Sequence, residues 1–143
     1  FSMIPALKNA EFVRYGVMHR NTFIQSPKLL DRFYADRRNP LVAFAGQMTG
    51  VEGYVESAAS GWLAAVAMAA KVKGETPVEF PKETAIGALG LYVSDERITD
   101  FQPMNVNFSI IAPLEKRIRK KAEKNLAIAM RSLAIIDELK TKL

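Results

Sequence analysis

Three groups of residues in this 143-residue chain have types and spacings that could do chemistry. The first is Gly46, Gly50 and Gly53, set between the apolar run 41–45 and a long helical pattern. A strand feeding a glycine-rich turn and then a helix leaves unpaired N–H groups and partial positive charge at the helix start. Such a start attracts a phosphate or a developing anion. With no Cβ in the way, a flat cofactor could lie against that backbone. The spacing Gly-x-x-x-Gly-x-x-Gly is not the dinucleotide fingerprint, and no acidic residue is placed to hold a ribose. The same glycines also suit an ordinary, tightly packed connection. The second group surrounds His19, the one histidine, with Arg14, Arg20, Asn21 and Thr22 nearby. An imidazole there could stack on a ring or exchange a proton near neutral pH; equally, it could be a packed or surface residue. The third is the segment 116–124, with six cations and one acid in nine positions. On a helix, Arg117, Lys120, Lys121 and Lys124 share a face, which fits either an RNA backbone or a solvated surface.

These groups need elements to hold them. Residues 11–18 alternate as a strand, with Val13, Tyr15 and Val17 on one face. Residues 28–34 read as a short helix or turn, and the polar stretch 36–40 ends in Pro40. Residues 41–45 are continuously apolar, as in a strand buried on both faces of a parallel sheet. The helix that follows runs to about Lys73, with Gly74 as its C′ residue. Thr84 is placed to cap a second helix through about Val93. Residues 99–111 read as extended or irregular, and Pro113 opens a last helix with apolar positions at 114, 118, 126, 130, 133 and 136.

Composition narrows the function classes. A content of 49% hydrophobic and 24% charged residues excludes a disordered tail or a collagen-like repeat. Zero cysteines exclude a disulfide framework, a thiolate metal site and a cysteine nucleophile within this chain; one histidine excludes a histidine-rich zinc site. No metal site is expected. Residues 112–143 hold nine Lys/Arg against four Asp/Glu, whereas residues 1–111 hold eleven of each. The net charge of +5 therefore sits wholly at one end, a field suited to a polyanion. The most apolar run, residues 58–70, is shorter than the ~20 residues a bilayer span needs, so no membrane partner is expected. A cytoplasmic location is expected.

Longer strings carry a resemblance. Gly16-Val17-Met18-His19-Arg20-Asn21-Thr22-Phe23 and residues 44–57, Phe-Ala-Gly-Gln-Met-Thr-Gly-Val-Glu-Gly-Tyr-Val-Glu-Ser, are similar to the bacterial folate- and FAD-dependent tRNA uracil-5-methyltransferases, the TrmFO (Gid) family. So are residues 83–89 (Glu-Thr-Ala-Ile-Gly-Ala-Leu), residues 101–108 (Phe-Gln-Pro-Met-Asn-Val-Asn-Phe) and Arg117-Ile118-Arg119. The resemblance implies an α/β fold: the C-terminal part of a FAD-binding, Rossmann-like domain of glutathione-reductase type. Residues 1–39 would end an inserted domain and return to the FAD domain, 40–111 would continue that domain, and 112–143 would form a basic C-terminal helix. It implies a flavoprotein that uses methylenetetrahydrofolate, FAD and NAD(P)H to form 5-methyluridine in the T-loop of tRNA. A related ribosomal RNA methyltransferase and a non-catalytic RNA-binding fragment are the alternatives. Gly46, Gln47, Gly50, Gly53 and Tyr54 would lie against FAD. His19, Arg20 and Asn21 would hold folate, and Arg117, Lys120, Lys121 and Lys124 would meet RNA. The family's N-terminal glycine fingerprint and catalytic cysteines are absent, so the chain is expected to be a fragment, inactive without an N-terminal FAD-binding part and with no catalytic residue of its own. Ser109 and Ala112 depart from the family's Gly and Pro.

Overall fold

The computed structural model describes residues 1–11 and 21–143. Among the described residues, four α-helices carry the architecture: α1 (Ser26–Leu29), α2 (Tyr54–Lys73), α3 (Ala85–Val93) and α4 (Lys121–Leu139). Short 3-10 turns lie at Pro5–Leu7, Gly46–Thr49 and Lys140–Lys142. The anticipated strand over 11–18 falls almost wholly outside the described residues.

Helix α2 forms where the pattern places it. Its interior is rich in alanine, the best helix former. Gly74 ends it in the left-handed conformation (φ +75°), returning its N–H to the carbonyls of Ala70 and Lys71. Ser60, Leu63, Ala64 and Ala67 form its buried stripe. Helix α3 starts at Thr84, whose hydroxyl accepts the Gly87 N–H at 3.1 Å. The main core joins Leu30, Tyr34, Val51, Leu63, Phe80, Leu89, Val93 and Phe101, and Ile136 and Leu139 of α4 pack against it. The chain from residue 24 to residue 139 therefore shares one apolar interior. A smaller cluster of Ala88, Ile111 and Ile128 seats the middle of α4.

Two expectations are corrected. Residues 41–45 are not a doubly buried strand: Leu41 is 69% exposed, and Ala43 makes a single antiparallel bridge to Ala35. Among the described residues there are isolated bridges and no ladder. A strand buried on both faces needs neighbouring strands to take its N–H and C=O groups, and here the segment folds back on residues 34–36 instead. Asp36 N–H donates to the Val42 carbonyl at 2.8 Å, and Phe44 N–H to that of Tyr34 at 2.9 Å. The last helix opens at Lys121, not Pro113. Arg131 takes the carbonyls of Pro113 (2.8 Å) and Ala112, so the first of these is committed to a side chain rather than a helical turn. Of the anticipated stripe, Leu126, Met130 and Leu133 face outward, about 60% exposed.

Candidate functional site: the start of α2 and a basic groove

The turn before α2 is held from several directions. The Gly46 N–H donates to Ser60 Oγ at 2.9 Å, and that hydroxyl donates to the Ser57 carbonyl at 2.8 Å. Thr49 Oγ1 donates to the Gly46 carbonyl (2.7 Å), and Ser26 Oγ to the Thr49 carbonyl (2.8 Å). Ile24 N–H reaches the Met48 carbonyl at 2.9 Å. Beyond the turn, Met104 N–H meets the Gly50 carbonyl and Glu52 N–H meets that of Met104, each at 3.0 Å. The result is a braced shelf whose edge is the N-terminus of α2. Ser60 is 1% exposed, and replacing it leaves the Gly46 N–H without its acceptor. Ser60→Ala is expected to cost about 1–2 kcal/mol, seen as a melting temperature lowered by a few degrees in circular dichroism.

A cavity of about 370 Å³ opens on this shelf, lined by Asn21, Gln47, Gly53, Tyr54 and Ser57. Three residues singled out for FAD thus stand beside one singled out for folate. Gly46 lies just behind, with the Ser57 side chain 3.7 Å from where its Cβ would be. Gly50 does not line the cavity. It is buried, and a Cβ on it would lie 2.4 Å from Cζ of Phe101, so its lack of a side chain admits that ring. His19 and Arg20 lie outside the described residues. Ser57 and Ser60 carry no sequence signal of their own; their parts appear only when Gly46 is brought across 14 residues.

Charge refines what the shelf can hold. Tyr54 (98% exposed) and Val55 begin α2 with their N–H groups beyond the reach of intrahelical partners. Glu56 sits in the first turn, and its Oε2 lies 2.2 Å from where a Gly53 Cβ would be; its Oε1 accepts from Asn105 Nδ2 at 3.5 Å. With Glu52 just before the helix, these carboxylates oppose a dianionic phosphate. The arrangement suits a flat ring edge with an acceptor oxygen, together with hydroxyls that can donate to Glu56. Nearby, Tyr34 is fully buried at φ +64°, its hydroxyl has no partner among the described residues, and burial pushes its phenol well above the usual range.

A second concavity, about 800 Å³, is lined by Phe108, Ser109, Arg117, Ile118, Arg119, Lys121, Lys124 and Asn125. The expectation that Arg117, Lys120, Lys121 and Lys124 share a helix face is corrected. Arg117 and Lys120 precede α4, and Lys120 Nζ is paired with Glu123 at 3.1 Å. Arg119 joins the groove in its place. Among the described residues, no group of three or more His, Cys, Asp or Glu is gathered for a metal, and no helix is long and apolar enough to cross a membrane.

Residues 1–76 match the family described as glucose inhibited division protein A. A relative from Acetivibrio thermocellus is 57% identical over 142 residues, 99% of this chain and 33% of its own length. One from Streptococcus suis is 57% identical over 142 residues (99% and 32%), and one from Bacillus anthracis 58% over 134 (94% and 31%). All three bear the name methylenetetrahydrofolate–tRNA-(uracil-5-)-methyltransferase TrmFO. The chain spans about a third of the length of these curated relatives.

Proposed function

The chain belongs to the glucose inhibited division protein A family, the TrmFO (Gid) family, and on that premise we propose that it is the flavin-facing part of a folate- and FAD-dependent tRNA (uracil-5-)-methyltransferase. The observation that carries the reading is the cavity at the start of α2, where Asn21 meets Gln47, Gly53, Tyr54 and Ser57. Residues 40–111 then belong to a Rossmann-like α/β FAD-binding domain completed by an N-terminal part. Residues 1–39 end an inserted domain, and 112–143 form a basic C-terminal extension that meets RNA.

FAD, when bound, supplies the reducing equivalents, drawn from NAD(P)H, that convert the folate-borne one-carbon unit to a methyl group. This chain's residues bind and orient. The N–H groups of Tyr54 and Val55, which have no intrahelical partner, meet an oxygen at the ring edge. Gly53 keeps the approach open, since any Cβ there would enter the space beside Glu56 and Asn105. The Glu56 carboxylate accepts from hydroxyls of the cofactor chain, and Gln47 and Ser57 offer neutral polar groups on the other side. His19, Arg20 and Asn21 hold the folate, with His19 stacking on the pterin.

The test is a folate titration of the flavin-loaded, full-length protein, beside a melting curve. His19→Ala is expected to weaken folate about tenfold, the scale of an aromatic stacking contact of ~0.5–1.5 kcal/mol, with flavin content and melting temperature unchanged. Unchanged folate affinity with a lowered melting temperature would make His19 a packing residue and remove folate from this face.

A further inference from the structure

The basic groove differs from a solvated helix face in three ways. Its walls come from three separate segments: residues 108–109, residues 117–119 and the first turn of α4. It gathers Arg117, Arg119, Lys121 and Lys124 with no carboxylate in its lining. Among the described residues none of these four is ion-paired, whereas Lys120, outside the lining, is held by Glu123. Four exposed like charges set side by side with no carboxylate in the lining make a locally positive field that favours an anion. The positive end of α4 adds to the same field.

The groove also contains an aromatic ring. Phe108 is 44% exposed and shares the lining with the four cations. Its backbone is fixed nearby: the Ser109 N–H donates to Asn107 Oδ1 at 2.9 Å, and the Ala112 N–H to the Lys82 carbonyl at 3.0 Å. Arg131 of α4 ties the helix to the segment between residues 109 and 117 by holding the carbonyls of Ala112 and Pro113. A duplex offers phosphates to such a groove but keeps its base faces stacked inside. Single-stranded or looped RNA offers both phosphates and an unstacked base face.

We propose that this groove binds an unpaired nucleotide segment of RNA, with a base stacked on Phe108 and its flanking phosphates held by Arg117, Arg119, Lys121 and Lys124. The inference deepens the reading of an RNA substrate and rests on it for the identity of the polyanion. Asn125 and the Ser109 hydroxyl at the groove edge offer hydrogen bonds to the sugar or base.

The experiment is fluorescence anisotropy on the full-length protein with a labelled oligouridine of about 12 nucleotides and a blunt RNA duplex of equal charge. Neither flavin nor folate enters the assay, so failure of the flavin reading leaves its outcome untouched. Oligouridine binding is expected to be the tighter and salt-dependent. Arg117→Ala and Lys121→Ala should weaken both RNAs and flatten the log–log salt slope by about 0.7 each for the single strand. Phe108→Ala should weaken oligouridine about tenfold and leave the duplex unchanged. Phe108→Leu, which keeps an apolar side chain in place, should show the same selective loss and serves if the alanine variant does not fold. Equal binding of duplex and single strand with an indifferent Phe108 would overturn the proposal. So would absence of RNA binding, or displacement of RNA by phosphatidylglycerol vesicles.

Discussion

Gly53→Val in the full-length protein should lose FAD on gel filtration, with at least a tenfold drop in flavin affinity. Gly53 sits at φ +92° and ψ 143°, backbone that is nearly glycine's alone, and a substituted residue there pays roughly 1–3 kcal/mol. Its Cβ would fall 2.2 Å from Glu56 Oε2 and 2.6 Å from Asn105 Nδ2. Both are the far ends of flexible side chains, so they can swing aside, at the expense of their mutual hydrogen bond. Gly53 lines the cavity, so the valine methyls would occupy its approach to the α2 N-terminus. The effect therefore concentrates on the ligand rather than the core. Gly53→Ala should fall between valine and the parent. Flavin retention equal to the parent in the valine variant would remove the cofactor from this shelf.

Gly50→Ala should do the reverse: a lower melting temperature, with flavin affinity of the folded protein preserved. Gly50 is also left-handed, at φ +84°, and a Cβ would lie 2.4 and 2.5 Å from two carbons of the Phe101 ring. That ring has nowhere to go. It is 1% exposed, meets Phe23 edge-on at 6.1 Å and lies 5.5 Å from Tyr92. Overpacking of this kind costs ~1–3 kcal/mol and the left-handed backbone ~1 kcal/mol more. In a chain of the relatives' length, about three times this one, a loss of about 3 kcal/mol corresponds to roughly 3 °C in melting temperature. A thermal melt beside a flavin titration at low temperature separates the two glycines. An unchanged melt would mean that Phe101 is not seated on Gly50.

The contrast between these glycines shows where sequence reading stops. Gly46, Gly50 and Gly53 look alike as a spaced set, and their local signal, a turn before a helix, is correct. Their separate tasks depend on Ser60, Phe101, Glu56 and Asn105, between 3 and 52 residues away along the chain. Helices α2 and α3 were legible because their signals are local: an alanine-rich run ended by Gly74, and Thr84 as a cap. Residues 41–45 have a strand's composition but form no strand, because strand formation depends on partners elsewhere. Apolar composition alone does not supply them. Pro113 is a valid local start signal, overridden by Arg131, which arrives from 18 residues downstream to take its carbonyl. Phe108, one phenylalanine among eight, became a candidate contact only when the fold set it among four cations.

We propose that this chain forms the flavin-facing surface of an enzyme that moves a folate-borne one-carbon unit to uridine. The most direct test incubates the full-length, flavin-loaded protein with unmodified tRNA, NADPH and methylenetetrahydrofolate labelled in its methylene carbon. Nucleoside analysis should find the label in 5-methyluridine from the tRNA, and Gly53→Val should abolish it together with bound flavin. An unlabelled tRNA with flavin retained, or label acquired only from a methylsulfonium donor, would contradict the claim.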